Sequence, residues 1–162
     1  MILLYTISSI YHGLSSKSLS KKVFQVLDHC SIFLLIAGSY TPVALCTIRN
    51  YNTAWGWIIF GVVWSAAALG ITLNSIDLKS TKKFSMISYL LMGWCIVIRF
   101  DIILKTIPKN GIIFLLTGGI AYTIGAIFYG LGKRKKYFHS IFHLFIFVGS
   151  LLQFFCILFY VM

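Results

Sequence analysis

Hydrophobic positions along the chain fall into six long runs that short polar stretches separate. About 20 consecutive apolar residues are enough to cross a bilayer as an α-helix, and the last five runs approach or exceed that length. The first run has only fourteen residues and is too short. The pattern predicts an all-α, polytopic bundle of transmembrane helices. The predicted helices are Met1–Leu14, Leu27–Ile48, Trp55–Leu73, Ser85–Leu104, Gly111–Leu131 and Tyr137–Met162.

The six runs should form a single transmembrane domain over residues 1–162, because the helices of such a bundle share one packed interior. The chain begins at Met1 inside hydrophobic sequence, and its first run cannot span a bilayer. We therefore expect a longer protein whose N-terminal part is missing here. Either the chain is a fragment or its start codon is misplaced.

Basic residues alternate between heavily and lightly charged connections. Such residues are held in cytoplasmic loops, so the odd-numbered connections should be cytoplasmic and the C-terminus external. The heavily charged connections contain Lys17, Lys21 and Lys22, then Lys79, Lys82 and Lys83, and finally Lys133, Arg134, Lys135 and Lys136. The lightly charged connections contain Arg49, and Lys105 with Lys109.

Composition agrees with a multi-pass protein of the cell membrane. The 162 residues are 59% hydrophobic and 10% charged, whereas soluble domains carry about 25% charged residues. A net charge of +11 would suggest nucleic-acid binding in a soluble protein. Here the loop pattern explains the charge, so we expect the lipid bilayer as partner and no nucleic acid. The four cysteines are far apart and show no metal-ligand spacing.

Four of the few ionisable residues fall at one predicted depth near the cytoplasmic side. His12 precedes Lys17 by five residues, and Asp28 follows Lys22 by six. His139 and His143 begin the last run, in a chain with four histidines and three acidic residues in all. Ionisable groups are costly in hydrocarbon and usually have a function there.

These residues predict a metal site. His139 and His143 are four residues apart and share one helix face, so both imidazoles can point at one ion. With His12 they would complete three protein ligands, and a water in the fourth position makes a catalytic zinc site. Asp28 would hold that water by a hydrogen bond and accept its proton. Ser8, one turn before His12, would donate a supporting hydrogen bond or steady the scissile carbonyl oxygen.

Other interpretations of the histidines stay open. A haem between His12 and one histidine of the last run is an alternative, but His139 and His143 cannot be opposite axial ligands because they share a helix face. His29 points about 100° away from Asp28 and is interpreted as a packed or interfacial residue. Asp28 by itself would also suit a helix cap or a pair with a lysine.

Several further residues predict packing. Pro42 should bend its helix, and Gly118, Gly119 and Gly125 should let a neighbouring helix approach closely. Arg99 and Asp101 are two residues apart and should not face each other on a helix. A polar stripe on the last helix should face the bundle interior and comprises His139, His143, Ser150 and Gln153.

Four stretches of the chain resemble the bacterial hemolysin III proteins, which belong with the adiponectin and progestin receptors and the alkaline ceramidases. The stretches are Ser8-Ser9-Ile10-Tyr11-His12, Asp28-His29 through Ala37-Gly38-Ser39-Tyr40-Thr41-Pro42, Gly119-Ile120-Ala121-Tyr122-Thr123-Ile124-Gly125, and His139-Ser140-Ile141-Phe142-His143-Leu144-Phe145. The resemblance implies a seven-helix fold in which the six predicted helices correspond to helices two to seven. It also implies zinc held by His12, His139 and His143, with Asp28 on a zinc-bound water. Gln153 departs from the histidine that relatives often carry there.

Together these patterns favour an enzyme: a zinc-dependent hydrolase of an amide or ester bond in a membrane lipid, ceramide-like by the resemblance, at the cytoplasmic leaflet. The alternative is a pore-forming cytolysin, or a receptor with structural zinc. A pore needs a continuous polar lining, and the stripe on the last helix is thin. A transporter has less support, because the chain shows one plausible intramembrane acid and no clear pair of broken helices.

Overall fold

The computed structural model describes residues 1–15, 18–131 and 138–162, with the backbone alone for Lys79, Leu131 and residues 138–140. Within these ranges the chain forms six helices and no strand, which confirms the predicted all-α bundle. Five of the helices are long and apolar enough to cross a membrane. The helices are α1 (Ile2–Gly13), α2 (Leu19–Tyr51), α3 (Thr53–Ile76), α4 (Leu78–Trp94, continued by Cys95–Arg99 and Phe100–Thr106), α5 (Lys109–Leu131) and α6 (Phe138–Tyr160).

Two helices begin about two turns earlier than the hydrophobic pattern predicts. Helix α2 begins at Leu19 rather than Leu27, where the Ser18 hydroxyl oxygen accepts a hydrogen bond from the Ser20 amide at 3.2 Å. Helix α4 begins at Leu78 rather than Ser85. Hydropathy marks only the part of a helix that lies in hydrocarbon. The backbone hydrogen bonds of the helix continue beyond that part into the polar interface. Lysines assigned to connections, such as Lys21 and Lys82, therefore lie within helices.

Helix α2 lies at the centre of the bundle and contacts α1, α3, α4 and α6. Its fully buried Phe33 packs on α3 at Gly70, where an added Cβ would lie 2.1 Å from the phenyl ring. The glycine is thus required by the close approach of the two helices. Other fully buried side chains of this core come from α2, α3 and α4 and include Val43, Ile48, Val63, Ile102 and Ile103.

Helices α5 and α6 form the most extensive helix pair. A Cβ added at Gly118 would lie 3.1 Å from Gln153, and one at Gly125 would lie 3.3 Å from Phe145. The predicted close approach is confirmed at these two glycines. Gly119 is packed less closely, since a Cβ added there would lie 3.9 Å from its nearest neighbour, the Trp94 ring.

Helices α2 and α4 both depart locally from regular α-helical geometry while remaining continuous. Helix α2 runs through Pro42 and widens into a π-helical turn over Val43–Ile48. Helix α4 tightens into a 3₁₀ turn over Cys95–Arg99. The Tyr40 hydroxyl joins the two helices, because it donates to the Gly93 carbonyl and accepts from the Ile96 amide at 3.3 Å.

The 3₁₀ turn also overturns the expectation for Arg99 and Asp101. Arg99 has φ −126° and ψ 44°, so its backbone leaves the α-helical region. Its guanidinium consequently donates two hydrogen bonds to the Asp101 carboxylate, at 3.0 and 2.9 Å. The guanidinium also lies 4.6 Å over the Trp55 ring.

Candidate metal centre

Helices α1 and α6 bring together two of the residues that the sequence predicts as metal ligands. His12 lies in the last turn of α1, and His143 lies near the start of α6. Their ring centroids are 5.2 Å apart, with the ring planes at 89°. The two histidines are 131 positions apart in the chain (143 − 12), so this contact is made by the tertiary fold.

His139 lies one helical turn before His143 in the backbone of α6, and its side chain is outside the described part of the structure. Among the side chains that the structure describes, no three from His, Cys, Asp and Glu are close enough to hold a metal ion. The structure therefore brings two of the three predicted ligands together, and His139 stays a prediction as the third.

The spacing of the pair fits a shared zinc ion. Zinc–nitrogen bonds of about 2.0–2.1 Å at tetrahedral angles place the centroids of two bound imidazoles about 5 Å apart. The observed 5.2 Å separation agrees with that geometry. Two imidazoles from separate helices, with a third one turn away on α6, are a suitable donor set for zinc.

A cleft of about 490 Å³ opens beside the histidine pair, between α1 and α6. Ser8 lines it one turn before His12, so these two residues share a helix face as their spacing predicts. Ser8 is only 7% exposed, whereas Leu144 and Phe147 at the other wall are 61% and 47% exposed. The cleft therefore has a sheltered polar side and an apolar side that is open to the surroundings.

Asp28 lies on α2, is half-buried, and does not line the cleft. Its charge acts on the hydroxyls of Tyr11 and Tyr129, so it lies near α1 and α5. The neighbouring His29 is hydrogen-bonded at both ring nitrogens. Nδ1 donates to the Gln25 carbonyl at 2.9 Å, and Nε2 accepts from the Tyr129 hydroxyl at 3.3 Å. These bonds agree with the interpretation of His29 as a packed residue.

The structure adds two tyrosine hydroxyls that the sequence pattern did not connect with the site, and it joins both to Ser150 of the predicted polar stripe. Tyr5 lines the cleft, and its hydroxyl donates to Ser150 Oγ at 3.2 Å. The Tyr122 hydroxyl donates to the same oxygen at 2.9 Å. Tyr5 precedes His12 by seven residues and Ser150 follows His143 by seven. Seven residues make nearly two full turns, so this spacing was the signal that placed each hydroxyl on the face of its histidine.

Comparison with known proteins identifies the family. The family described as Haemolysin-III related matches residues 1–154. The chain belongs to this family. Hemolysin-3 of Bacillus cereus is 38% identical over 162 residues, which cover 100% of this chain and 72% of the relative. The Hemolysin-3 homolog of Bacillus subtilis (strain 168) is 36% identical over 160 residues, covering 99% of this chain and 73% of the relative.

A more distant relative of this haemolysin III family member is the monocyte to macrophage differentiation factor of Homo sapiens. It is 24% identical over 159 residues, which cover 95% of this chain and 64% of the relative. No solved structure matches the chain. Family and apolar helices together make the protein a multi-pass membrane protein, and the resemblance seen in its motifs is confirmed.

Proposed function

We propose that this haemolysin III family member is a zinc-dependent hydrolase that cleaves an amide or ester bond of a membrane lipid. His12, His139 and His143 would hold the zinc. The observation that carries the proposal is the 5.2 Å separation of the His12 and His143 rings at the wall of an open cleft. We place the site at the cytoplasmic leaflet and the C-terminus outside, on the basis of the alternating basic connections.

The shape of the cleft suits a lipid that enters sideways from the bilayer. An acyl chain would contact Leu144 and Phe147, whose exposed apolar side chains form the open wall. Its polar linkage would then lie next to the imidazoles and the sheltered Ser8. A hydroxyl that is shielded from water makes a stronger hydrogen bond, so Ser8 is well placed to donate to the scissile carbonyl oxygen.

Zinc would supply Lewis-acid activation of the carbonyl and of a water whose pKa falls to about 7. Asp28 would accept the proton of the attacking water. A carboxylate with that role need not be a ligand of the zinc. The hydroxyls of Tyr11 and Tyr129 lie within the electrostatic reach of Asp28.

The test is zinc content per chain of detergent-purified protein, together with fatty-acid release from ceramide in mixed micelles. Wild type should hold one zinc ion. His12→Ala, His139→Ala and His143→Ala should each lose zinc and activity together. His29→Ala is the matched control, because it removes an imidazole outside the cleft and should keep zinc. A His143→Ala protein that retains both zinc and activity would contradict the proposal.

A pore-forming cytolysin is the second candidate function, because two of the relatives carry hemolysin names. Such a pore would need a continuous polar lining, for which the polar stripe on α6 is the candidate. Dye leakage from liposomes measures pore formation directly. Leakage that persists in the His12→Ala/His143→Ala double variant would favour the pore over the hydrolase.

A further inference from the structure

Helix α1 is short, and its described packing is mainly against α2. Its contact with α6 depends on a few side chains. His12 meets His143 near one end of the cleft, and Tyr5 meets both Phe147 and Ser150 farther along. The position of α1 relative to α6 determines whether His12 and His143 can reach one ion.

Tyr5, Ser150 and Tyr122 form a hydroxyl cluster that joins three helices. Ser150 is 2% exposed, and its oxygen accepts from Tyr5 at 3.2 Å and from Tyr122 at 2.9 Å. The Tyr122 ring packs directly on the α6 backbone, since a Cβ at Gly149 would lie 2.8 Å from it. Ser150 is thereby held on the rigid α5–α6 pair, and the Tyr5 bond ties α1 to that pair.

The cluster and the histidine pair lie on the same two helix faces. Tyr5 is seven residues before His12 on α1, and Ser150 is seven residues after His143 on α6. That spacing is about 10 Å along each helix. Because a helix is rigid over two turns, a bond between Tyr5 and Ser150 limits both the rotation and the separation of the helices at His12 and His143. Phe147, which lies between His143 and Ser150 along α6, contacts the Tyr5 ring edge-on at 5.7 Å.

We infer that the hydroxyl cluster positions His12 against His143, and that Tyr5 is a positioning residue of the metal site. The inference rests on the proposed function. Residues that orient metal ligands without touching the metal typically change metal affinity 10- to 100-fold when they are altered. Tyr5 would act in this way through the placement of α1.

The test compares two tyrosine hydroxyls that both join helices. Tyr5→Phe removes the bond to Ser150 and keeps the ring against Phe147. Tyr40→Phe removes the bond from α2 to the Gly93 carbonyl on α4, and Tyr40 does not line the cleft. Tyr5→Phe should weaken zinc binding about 10- to 100-fold. Tyr40→Phe should lower the thermal midpoint of unfolding and leave zinc affinity unchanged.

The absorption spectrum of the Co²⁺-loaded protein provides a second readout. At saturating Co²⁺ the Tyr5→Phe spectrum should match wild type, because the ligands are the same and only their placement is weakened. Unchanged metal affinity in Tyr5→Phe overturns the inference. Equal losses of affinity in Tyr5→Phe and Tyr40→Phe also overturn it, because they would reflect general destabilisation.

If wild type binds neither zinc nor cobalt, the proposed function fails. The effect of Tyr5 on the approach of α1 to α6 is then measured without metal. Cysteines introduced by His12→Cys and His143→Cys, with the four native cysteines replaced by alanine, report the approach of α1 to α6. Slower disulfide formation after Tyr5→Phe, but not after Tyr40→Phe, supports the positioning role. The inference is overturned if the disulfide forms at the same rate in the double-cysteine protein, in its Tyr5→Phe variant and in its Tyr40→Phe variant.

Discussion

Asn74 on α3 is fully buried and connects α3 to the start of α4. Its side-chain oxygen accepts hydrogen bonds from Ser85 at 2.6 Å and from Thr81 at 2.9 Å. Its buried Nδ2 has no hydrogen-bond partner among the described residues. An unsatisfied amide donor is costly in an apolar interior, so the two accepted bonds are the reason the residue is tolerated.

We expect Asn74→Ala to destabilise the bundle by about 1–2 kcal/mol, since interhelical hydrogen bonds in membranes contribute about that much at most. The Ser85 hydroxyl, 2% exposed, would lose its partner. Unfolding in mixed micelles with increasing SDS measures the effect. Thr72→Ala is the control, because the exposed Thr72 hydroxyl bonds only the Ala68 carbonyl of its own helix. Equal losses in the two variants would contradict this role of Asn74.

The α5–α6 pair shows how small residues set the geometry of elements. Gly149 lets the Tyr122 ring and the Gly118 carbonyl oxygen approach to 2.8 and 3.1 Å of the place where a Cβ would be. The Gly118 carbonyl is part of the α5 backbone, so it can move away only if the helix moves with it. The motif glycines could be assigned to helix packing from sequence, whereas the partner helix could not, because several apolar helices present similar faces.

Gly149→Ala should destabilise the protein by about 1–3 kcal/mol, the usual effect of one extra methyl group in a tight interface. The SDS unfolding midpoint should fall accordingly. Gly61→Ala is the matched change on α3, where a Cβ has nothing within 4 Å. That variant should be neutral or more stable, because alanine favours a helix over glycine. A neutral Gly149→Ala would show that the two helices separate more easily than their packing indicates.

At the scale of the whole molecule, lysine-rich sequence lies at or next to the α1–α2, α3–α4 and α5–α6 connections. Connections that alternate along a threaded bundle emerge on the same side of the membrane. The positive-inside rule then sets the orientation of all the helices at once. The predicted metal site depends on this orientation, because His12 and His143 lie toward the lysine-rich end.

Reporter fusions test the orientation. Alkaline phosphatase fused after Met162 should be active, and green fluorescent protein fused there should be dark, because the C-terminus is expected outside. Fusions after Lys136, in the lysine-rich fifth connection, should give the opposite pair of signals. The reverse result at both positions would invert the topology and place the histidine pair at the outer leaflet.

Sequence alone determined the class and the family of this protein, and it predicted the six helices of the described residues. A bilayer forces every spanning segment to satisfy its own backbone, so the lengths of hydrophobic runs specify the helices directly. The linear positions of His12 and His143 relative to the lysines also specified their common depth. The helix ends at Leu19 and Leu78 were missed, because hydropathy does not report where a helix continues into the interface.

Only the tertiary structure decided which helix faces meet. It placed α1 against α6, so that Tyr5 and Ser150, 145 positions apart, share a hydrogen bond and the His12 and His143 rings lie 5.2 Å apart. It also turned Arg99 toward Asp101 through a local 3₁₀ geometry. Lateral order among apolar helices arises from close packing and a few polar contacts, and hydrophobic periodicity carries little information about either.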